Sequence, residues 1–371
     1  MYVWQSKKWP LFTWNHESLL KVLGQTRLSQ GQLISRISAL GMALGQEARA
    51  EILIKESVET SAIEGEKLNP DTVRSSVAKR LGLATAGLPP VDRRVDGLVQ
   101  VLLDATTGYQ KPLTLKRLKN WHATLFPTGY SGLHPIRAGQ WRGPEPMQVV
   151  SGPIGREKIH YEAPPRNRIP KEMQQFLLWW KSSDNKIEGF VRAAVAHFYF
   201  VTIHPFEDGN GRLARALTDM ALAQDENLKE RFYSLSAQIM EERNTYYEIL
   251  ERTQRGKGDL TEWLLWFLGC SKRAIDNSEL LISKVLAKAD FWKCHRDASL
   301  NDHQRKVVSK LVEAGPGGFK GGLTTRKYVS IAKVSRATAY REIIDLAEKK
   351  ILQPNSGKGR SVSYDLLWGF K

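Results

Sequence analysis

The chain has 371 residues, 42% hydrophobic and 25% charged, the proportions of an ordinary globular protein with room for two or three domains. Its longest apolar run, residues 263–270, is far short of the ~18 residues a membrane span needs. The opening MYVWQSKKWP lacks the apolar stretch and small-residue cleavage site of a signal peptide, so a cytoplasmic protein with no membrane contact is expected. Two cysteines, Cys270 and Cys294, stand far apart and exclude both a disulfide framework and a zinc site built on paired cysteines. The formal net charge is +16, and residues 293–371 hold 16 Lys and Arg against 7 Asp and Glu. More than half of the excess therefore sits in the last fifth of the chain, a pattern that suits a polyanionic partner or a solvated basic surface.

In chain order, residues 15–81 read as helical, because LISRISALGMAL and ARAEILIKESVETSAIEGE carry apolar residues three and four apart. Thr60 and Glu64 share one helix face, and Gly65 is a natural stop. A carboxylate at that end faces the negative pole of the helix dipole and calls for a cation. The segment ATAGLPP closes the pattern and separates an N-terminal region, 1–90, from a second helical region, 91–290. That second region is interrupted once, at residues 139–165, where MQVV and KIHY flank the turn-forming SGPIGR. A hairpin inside a helical domain is expected there.

The richest chemistry follows the apolar helix FVRAAVAHFYFVTI and reads HPFEDGNGRLAR from His204 to Arg215. Gly209 and Gly211 allow close backbone approach to a ligand, and amides just before a helix form a nest for anionic oxygens. Arg212 and Arg215 lie three apart on one helix face, able to grip phosphate oxygens. Asp208 is a hard oxygen ligand of the kind Mg²⁺ takes beside nucleotide phosphates. His204 is the nearby side chain that accepts a proton near neutral pH, and Phe206 reads as a core anchor. These groups together describe nucleotidyl or phosphoryl transfer.

The string HPFEDGNGRLAR resembles the Fic-domain motif HxFx(D/E)GNGRxxR at every specified position. The resemblance implies a mostly α fold: a Fic helical core with a β-hairpin flap, preceded by an N-terminal helical region. It also implies transfer of AMP from ATP to a Ser, Thr or Tyr hydroxyl of a target protein. His204 would deprotonate that hydroxyl, Asp208 would hold Mg²⁺ on the α- and β-phosphates, and Asn210 would contact the α-phosphate within the loop of Gly209 and Gly211. Arg212 and Arg215 would neutralise the β- and γ-phosphates. The phosphorylating Doc branch has a bulkier residue in place of the second glycine, so Gly211 favours adenylylation.

The segment from Thr60 to Gly65 resembles the family's inhibitory-helix motif (S/T)xxxE(G/N). By that resemblance Glu64 pairs with Arg215 and keeps ATP from docking productively. Val149, Val150, Ser151 and Gly152 match the flap strand that touches nucleotide and aligns the target segment by strand pairing. Tyr246 matches a position lining the adenine pocket, with a plain core aromatic as the alternative. Gln254 stands where related chains often have Asn. His197 is expected to be a satisfied core residue.

Residues 299–371 read as a helix, then helix-turn-helix proportions, then a hairpin, and resemble a winged-helix domain. Arg336, Thr338, Tyr340 and Arg341 would face a DNA groove, with Lys358 and Arg360 on the wing; a protein-interaction module is the other use of such a domain. Self-modification and a homodimer are further expectations. The rivals to adenylylation are phosphotransfer or removal of AMP on the same scaffold, and a DNA-binding regulator whose Fic core only senses nucleotide.

Overall fold

In the computed structural model residues 1–38, 42–151, 158–355 and 362–368 are described. The chain divides into two compact units, residues 1–41 with 45–278, and residues 42–44 with 279–371. The first unit thus holds most of the 1–90 region together with most of the 91–290 region. The helices of the first unit are α1 (His16–Ser38), α2 (Met42–Ile63), α3 (Pro70–Leu81), α4 (Arg93–Thr107), α5 (Leu115–Leu125), α6 (Ile169–Ser183), α7 (Gly189–Ile203), α8 (Asn210–Glu226), α9 (Leu235–Glu241), α10 (Arg243–Gln254) and most of α11 (Thr261–Cys294). Two antiparallel pairs interrupt them: β1 (Tyr130–Ser131) with β2 (His134–Pro135), and β3 (Gln148–Ser151) with β4 (Lys158–Glu162).

Local sequence sets several of these boundaries. Asn69 accepts the Asp71 amide just ahead of Pro70, and Gly82 closes α3 at φ 69°, the N-cap, early proline and left-handed glycine of a well-delimited helix. Asp92 and Thr114 cap α4 and α5 in the same way. All fifteen residues of α7 are buried, as an all-round apolar sequence requires, and α8 packs against both α7 and α4. Ala50 and Ile54 of α2, Val73 and Val77 of α3, and Val95 and Val99 of α4 form one apolar cluster. That packing ties the middle of α2 to α4, which in turn packs against α8.

The flap is the β3–β4 pair, with Val149 opposite Tyr161, Val150 opposite Ile159 and a bulge between Val149 and Val150. Its base is held by the N-terminal residues: the Trp4 indole donates to the Glu162 carbonyl at 2.8 Å, and Tyr2 meets Tyr161 edge to face.

The second unit holds α12 (Asp302–Ala314), α13 (Thr325–Ala332), α14 (Arg336–Glu348), and the antiparallel pair β5 (Leu352–Pro354) and β6 (Tyr364–Leu366). Leu323 bridges to Tyr364 as a third extended segment. Val307, Val308, Leu311, Tyr328, Ile343 and Leu346 pack its core. Three helices followed by a hairpin is the element order expected from residues 299–371. Lys358 and Arg360, expected on the wing, and Gly152, expected on the flap, lie outside the described residues.

Candidate active site

His204 terminates α7 in the left-handed region, φ 51° and ψ 59°, an uncommon place for a side-chain-bearing residue. Arg142, from the segment between β2 and β3, fixes that turn. Its Nε donates to the His204 carbonyl at 2.9 Å, its Nη2 to the Pro164 carbonyl, and its backbone N–H to Pro205 at 3.0 Å. The His204 Nδ1 lies 3.1 Å from the Val201 carbonyl. A carbonyl only accepts, so Nδ1 carries the hydrogen and Nε2 keeps its lone pair. Burial pushes the imidazole pKa below its ordinary 6.5, with Arg142 adding to the shift while the Val201 contact, Glu64 and Asp208 oppose it. The ring is therefore neutral and able to take a proton at physiological pH.

The loop after His204 is stapled from inside. The Phe206 N–H donates to Asn210 Oδ1 at 3.0 Å, and Asn210 Nδ2 donates back to the Phe206 carbonyl at 2.8 Å. Asn210, expected at the α-phosphate, is only 2% exposed and spends its amide on the loop. Phe206 is fully buried, as expected, and stacks on the His122 ring at 4.1 Å and 7°. His122 accepts the Gly139 N–H on Nδ1 at 2.9 Å, so its Nε2–H donates to the Asp208 carbonyl at 3.2 Å. Burial lowers its pKa to about 4, which keeps this neutral tautomer in place.

Asp208 turns its carboxylate outward. One oxygen accepts from the Ser131 hydroxyl on β1 and lies 3.6 Å from Arg212 Nη2; the other accepts the Gly209 N–H. Gly209 opens α8 at φ 76°. No group of three or more metal-ligating side chains occurs among the described residues. One half-exposed carboxylate is nonetheless the donor set with which Mg²⁺ is held beside phosphates, since substrate and water supply its other oxygens.

Both arginines of the motif point back toward α2. Arg215, 2% exposed, donates through Nε to Thr60 Oγ1 at 2.6 Å, and through Nη2 to the Thr60 carbonyl at 2.9 Å and to Glu64 Oε1 at 2.7 Å. Arg212 lies over the Phe126 ring and sets Nη1 3.2 Å from Glu66 Oε2. Arg212 Nε and Arg215 Nη1 are buried without a partner among the described residues. Unsatisfied buried donors of this kind fit an anion. A Cβ on Gly211 would come within 2.0 Å of Glu64 Oε1, so the carboxylate occupies the space a side chain there would fill. Beside these groups is a cavity of about 420 Å³ whose walls include Glu64, Glu66, Arg94, Ser131, Asp208 and Arg212.

Other expected residues fall further out. On the flap, Val149 is half-buried against the Trp4–Tyr161 cluster and Val150 is 47% exposed; Ser151 pairs with Lys158. Tyr246 is 2% exposed, with its hydroxyl 3.0 Å from His197 Nε2. The Thr218 hydroxyl donates to Ala214, so His197 Nδ1–H donates to Thr218 and its Nε2 accepts from Tyr246. Tyr246 and His197 thus form a closed core pair, and it is half-buried Tyr247 that reaches the end of α2, at the Ile63 carbonyl. Gln254 is also buried, facing Thr202 at 3.3 Å. Motif reading had not identified His122, Ser131, Arg142 or Glu66. The first three come from elements far from residues 204–215 in sequence and share no spacing with them.

Residues 112–222 match the sequence model of the Fic/DOC family, and residues 2–83 match a domain of unknown function, DUF4172. Among curated proteins, the protein adenylyltransferase Fic of Nematostella vectensis is 31% identical over 144 residues, covering 38% of this chain and 30% of that protein. The protein adenylyltransferase Fic of Drosophila virilis is 23% identical over 295 residues, covering 78% of this chain and 56% of that protein. The chain therefore spans between about a third and just over half of these relatives' length. Among solved structures, a Fic family protein from Desulfovibrio desulfuricans G20 superposes with a TM-score of 0.53 at 18% identity, covering 96% of this chain and 98% of its own. A Fic domain containing signaling protein from Bacteroides thetaiotaomicron VPI-5482 also gives 0.53, at 16% identity, over 68% of this chain and 96% of its own. At these identities the structures speak for the fold.

Proposed function

We propose, on the premise of the Fic/DOC match over residues 112–222, that the chain is a protein adenylyltransferase that moves AMP from ATP to a hydroxyl side chain of a target protein and is held inactive by Glu64. The observation that carries the reading is the pairing of a neutral His204, its lone pair left on Nε2, with buried arginine N–H groups in the first two turns of α8 that lack a partner among the described residues. A base and an anion cradle on adjoining elements suit transfer of a phosphorus group to a hydroxyl.

In this reading the target oxygen attacks the α-phosphorus while His204 Nε2 takes its proton. The bond from the α-phosphorus to the bridging oxygen breaks, and its electron pair leaves with pyrophosphate. Arg212 and Arg215 bind the β- and γ-phosphates and offset the charge that grows on the leaving group. Asp208 would hold Mg²⁺, which supplies further charge neutralisation when bound. Arg142 and His122 keep the His204 turn and the Asp208 backbone in register. The flap presents the target segment by strand pairing, and the protein's own exposed hydroxyls are candidate acceptors alongside those of a partner.

Inhibition follows from competition for the same nitrogens. Glu64 takes Nη2 of Arg215 and Glu66 takes Nη1 of Arg212, so a triphosphate must displace the end of α2 before both arginines serve it. Gly211 supports adenylylation over the Doc-type phosphotransfer, because the Doc branch has a bulkier residue at that position.

The test is incubation of the Glu64→Gly variant with lysate and ATP labelled at either the α- or the γ-phosphorus. Protein-bound label from α alone, abolished by Glu64→Gly combined with His204→Ala, is the expected result. Label from γ alone would overturn the reading in favour of phosphotransfer. Loss of AMP from a pre-labelled target without new transfer would point to a hydrolase.

A further inference from the structure

The transferase reading makes no use of the second unit, where the first two turns of α14 display an unusual face. Arg336, Ala337 and Arg341 are exposed, and Tyr340 is 60% exposed. Arg336 and Tyr340 lie one turn apart, as do Ala337 and Arg341, so the four make one continuous strip. Arg326 on α13 and Lys333 just beyond its end are exposed beside it in sequence. None of these four cations has an ion pair or hydrogen bond among the described residues. The acids of α14 that could neutralise them are committed elsewhere. Glu342 receives the Tyr328 hydroxyl at 2.8 Å and the Asn301 amide at 3.0 Å. Asp345 receives Gln304 and Lys349, and Glu348 lies at the far end of the helix. The first turn of α14 holds no acidic residue, so the helix dipole adds to the positive potential at that end.

We propose that this face binds duplex DNA, with the N-terminal half of α14 in the major groove and Arg326 and Lys333 on flanking phosphates. Thirteen residues make a helix about 20 Å long, and the ~12 Å major groove of B-form DNA admits a helix. The major groove of A-form RNA is too narrow for one. A lipid surface would select a broad apolar face, whereas Tyr340 is the one strongly exposed large apolar side chain on α12–α14 among the described residues. Arg336 and Arg341 supply bidentate donors for guanine edges or phosphates, while Ala337 and Tyr340 supply apolar and aromatic contact. The inference stands apart from the transferase reading, and either can fail alone.

The experiment is fluorescence anisotropy of the full chain with a labelled 30-base-pair duplex of mixed sequence, titrated from 50 to 200 mM salt. Four phosphate-directed cations predict a log–log salt slope of about −3 to −4. Arg336→Ala with Arg341→Ala should weaken binding more than tenfold and make the slope shallower by nearly 2, at an unchanged melting temperature because both side chains are exposed. Arg336→Lys with Arg341→Lys should keep most of the slope. Lys306→Ala with Lys310→Ala, exposed cations of α12, should leave affinity within twofold. Equal losses from the two alanine pairs, or no loss from the α14 pair, would overturn the assignment. So would poly-glutamate displacing the duplex as well as unlabelled DNA does, which would indicate an acidic protein partner.

Discussion

His204 adopts a left-handed conformation that surrounding contacts must enforce, and the enforcing group is a buried arginine rather than a neighbour in sequence. Arg142 Nε on the His204 carbonyl sets the direction of the chain, and Val201 sets the tautomer. Because burial lowers the imidazole pKa below 6.5 while the nearby Glu64 raises it, the sign of a pH effect is fixed. The neutral base persists below pH 6.5, so the acid limb of kcat/KM for AMP transfer should fall below that value. In Glu64→Gly it should shift lower still, since a carboxylate favouring imidazolium is gone. A pH profile with an unmoved or raised limb would count against His204 as the base. Glu66 offers a second reading of the same site. Glu66→Ala should tighten binding of a non-hydrolysable ATP analogue by a few-fold, less than Glu64→Gly does, because the Glu66 carboxyl is 41% exposed and exposed pairs contribute about 0–1 kcal/mol. Calorimetric titration of the two single variants and the double variant checks the order.

Twelve contiguous residues carried most of the site's chemistry at the level of elements, which is why the loop from His204 to Arg215 and the end of α2 were legible beforehand. The hairpin was legible from its glycines and prolines. Tyr246 was less so: adjacent helix positions differ by about 100°, and a motif match cannot say which of two successive tyrosines turns inward. His122 on α5 was invisible because its partners, Gly139 and the Asp208 carbonyl, are brought to it only by the fold. Its removal has a definite expected signature. His122→Leu leaves the part-buried Gly139 N–H and Asp208 carbonyl without this partner, which should cost about 1–3 kcal/mol in denaturant unfolding. The wild-type ring titrates at about 4 in the fold against 6.5 in the unfolded chain. Its contribution is therefore fully present above pH 6.5 and lost as pH falls toward 4, up to about 3 kcal/mol. His122→Leu should flatten the decline of stability over that interval, and parallel curves for variant and parent would sink the assignment.

The charge surplus toward the C-terminus was plain from sequence over the whole molecule, whereas the packing of α2 against α3 and α4 was not. Residues 1–90 read as a separate helical region because the apolar period stops at a Gly-Pro stretch. Only the packing of α2, α3 and α4 into one cluster, with α4 in turn against α8, reveals that most of α2 belongs to the same unit as the helices of the site. Stability should be uneven across this arrangement. Every residue of α7 is buried, so its amides should exchange with solvent only through global unfolding of the first unit, while those of the two-residue strands β1 and β2 should exchange orders of magnitude faster. Hydrogen exchange followed by mass spectrometry resolves the two. Rapid exchange in α7 would contradict the central place given to it.

One donor on Arg215, Nη1, has no hydrogen-bond partner among the described residues, while the other two nitrogens are engaged by Thr60 and Glu64. A buried donor left without an acceptor costs roughly 1–3 kcal/mol, and that cost belongs to the resting conformation alone if an incoming phosphate relieves it. In the proposed reading, where the end of α2 acts as a brake, that cost weighs against the closed position, so less force on the last turn of α2 is needed to open it.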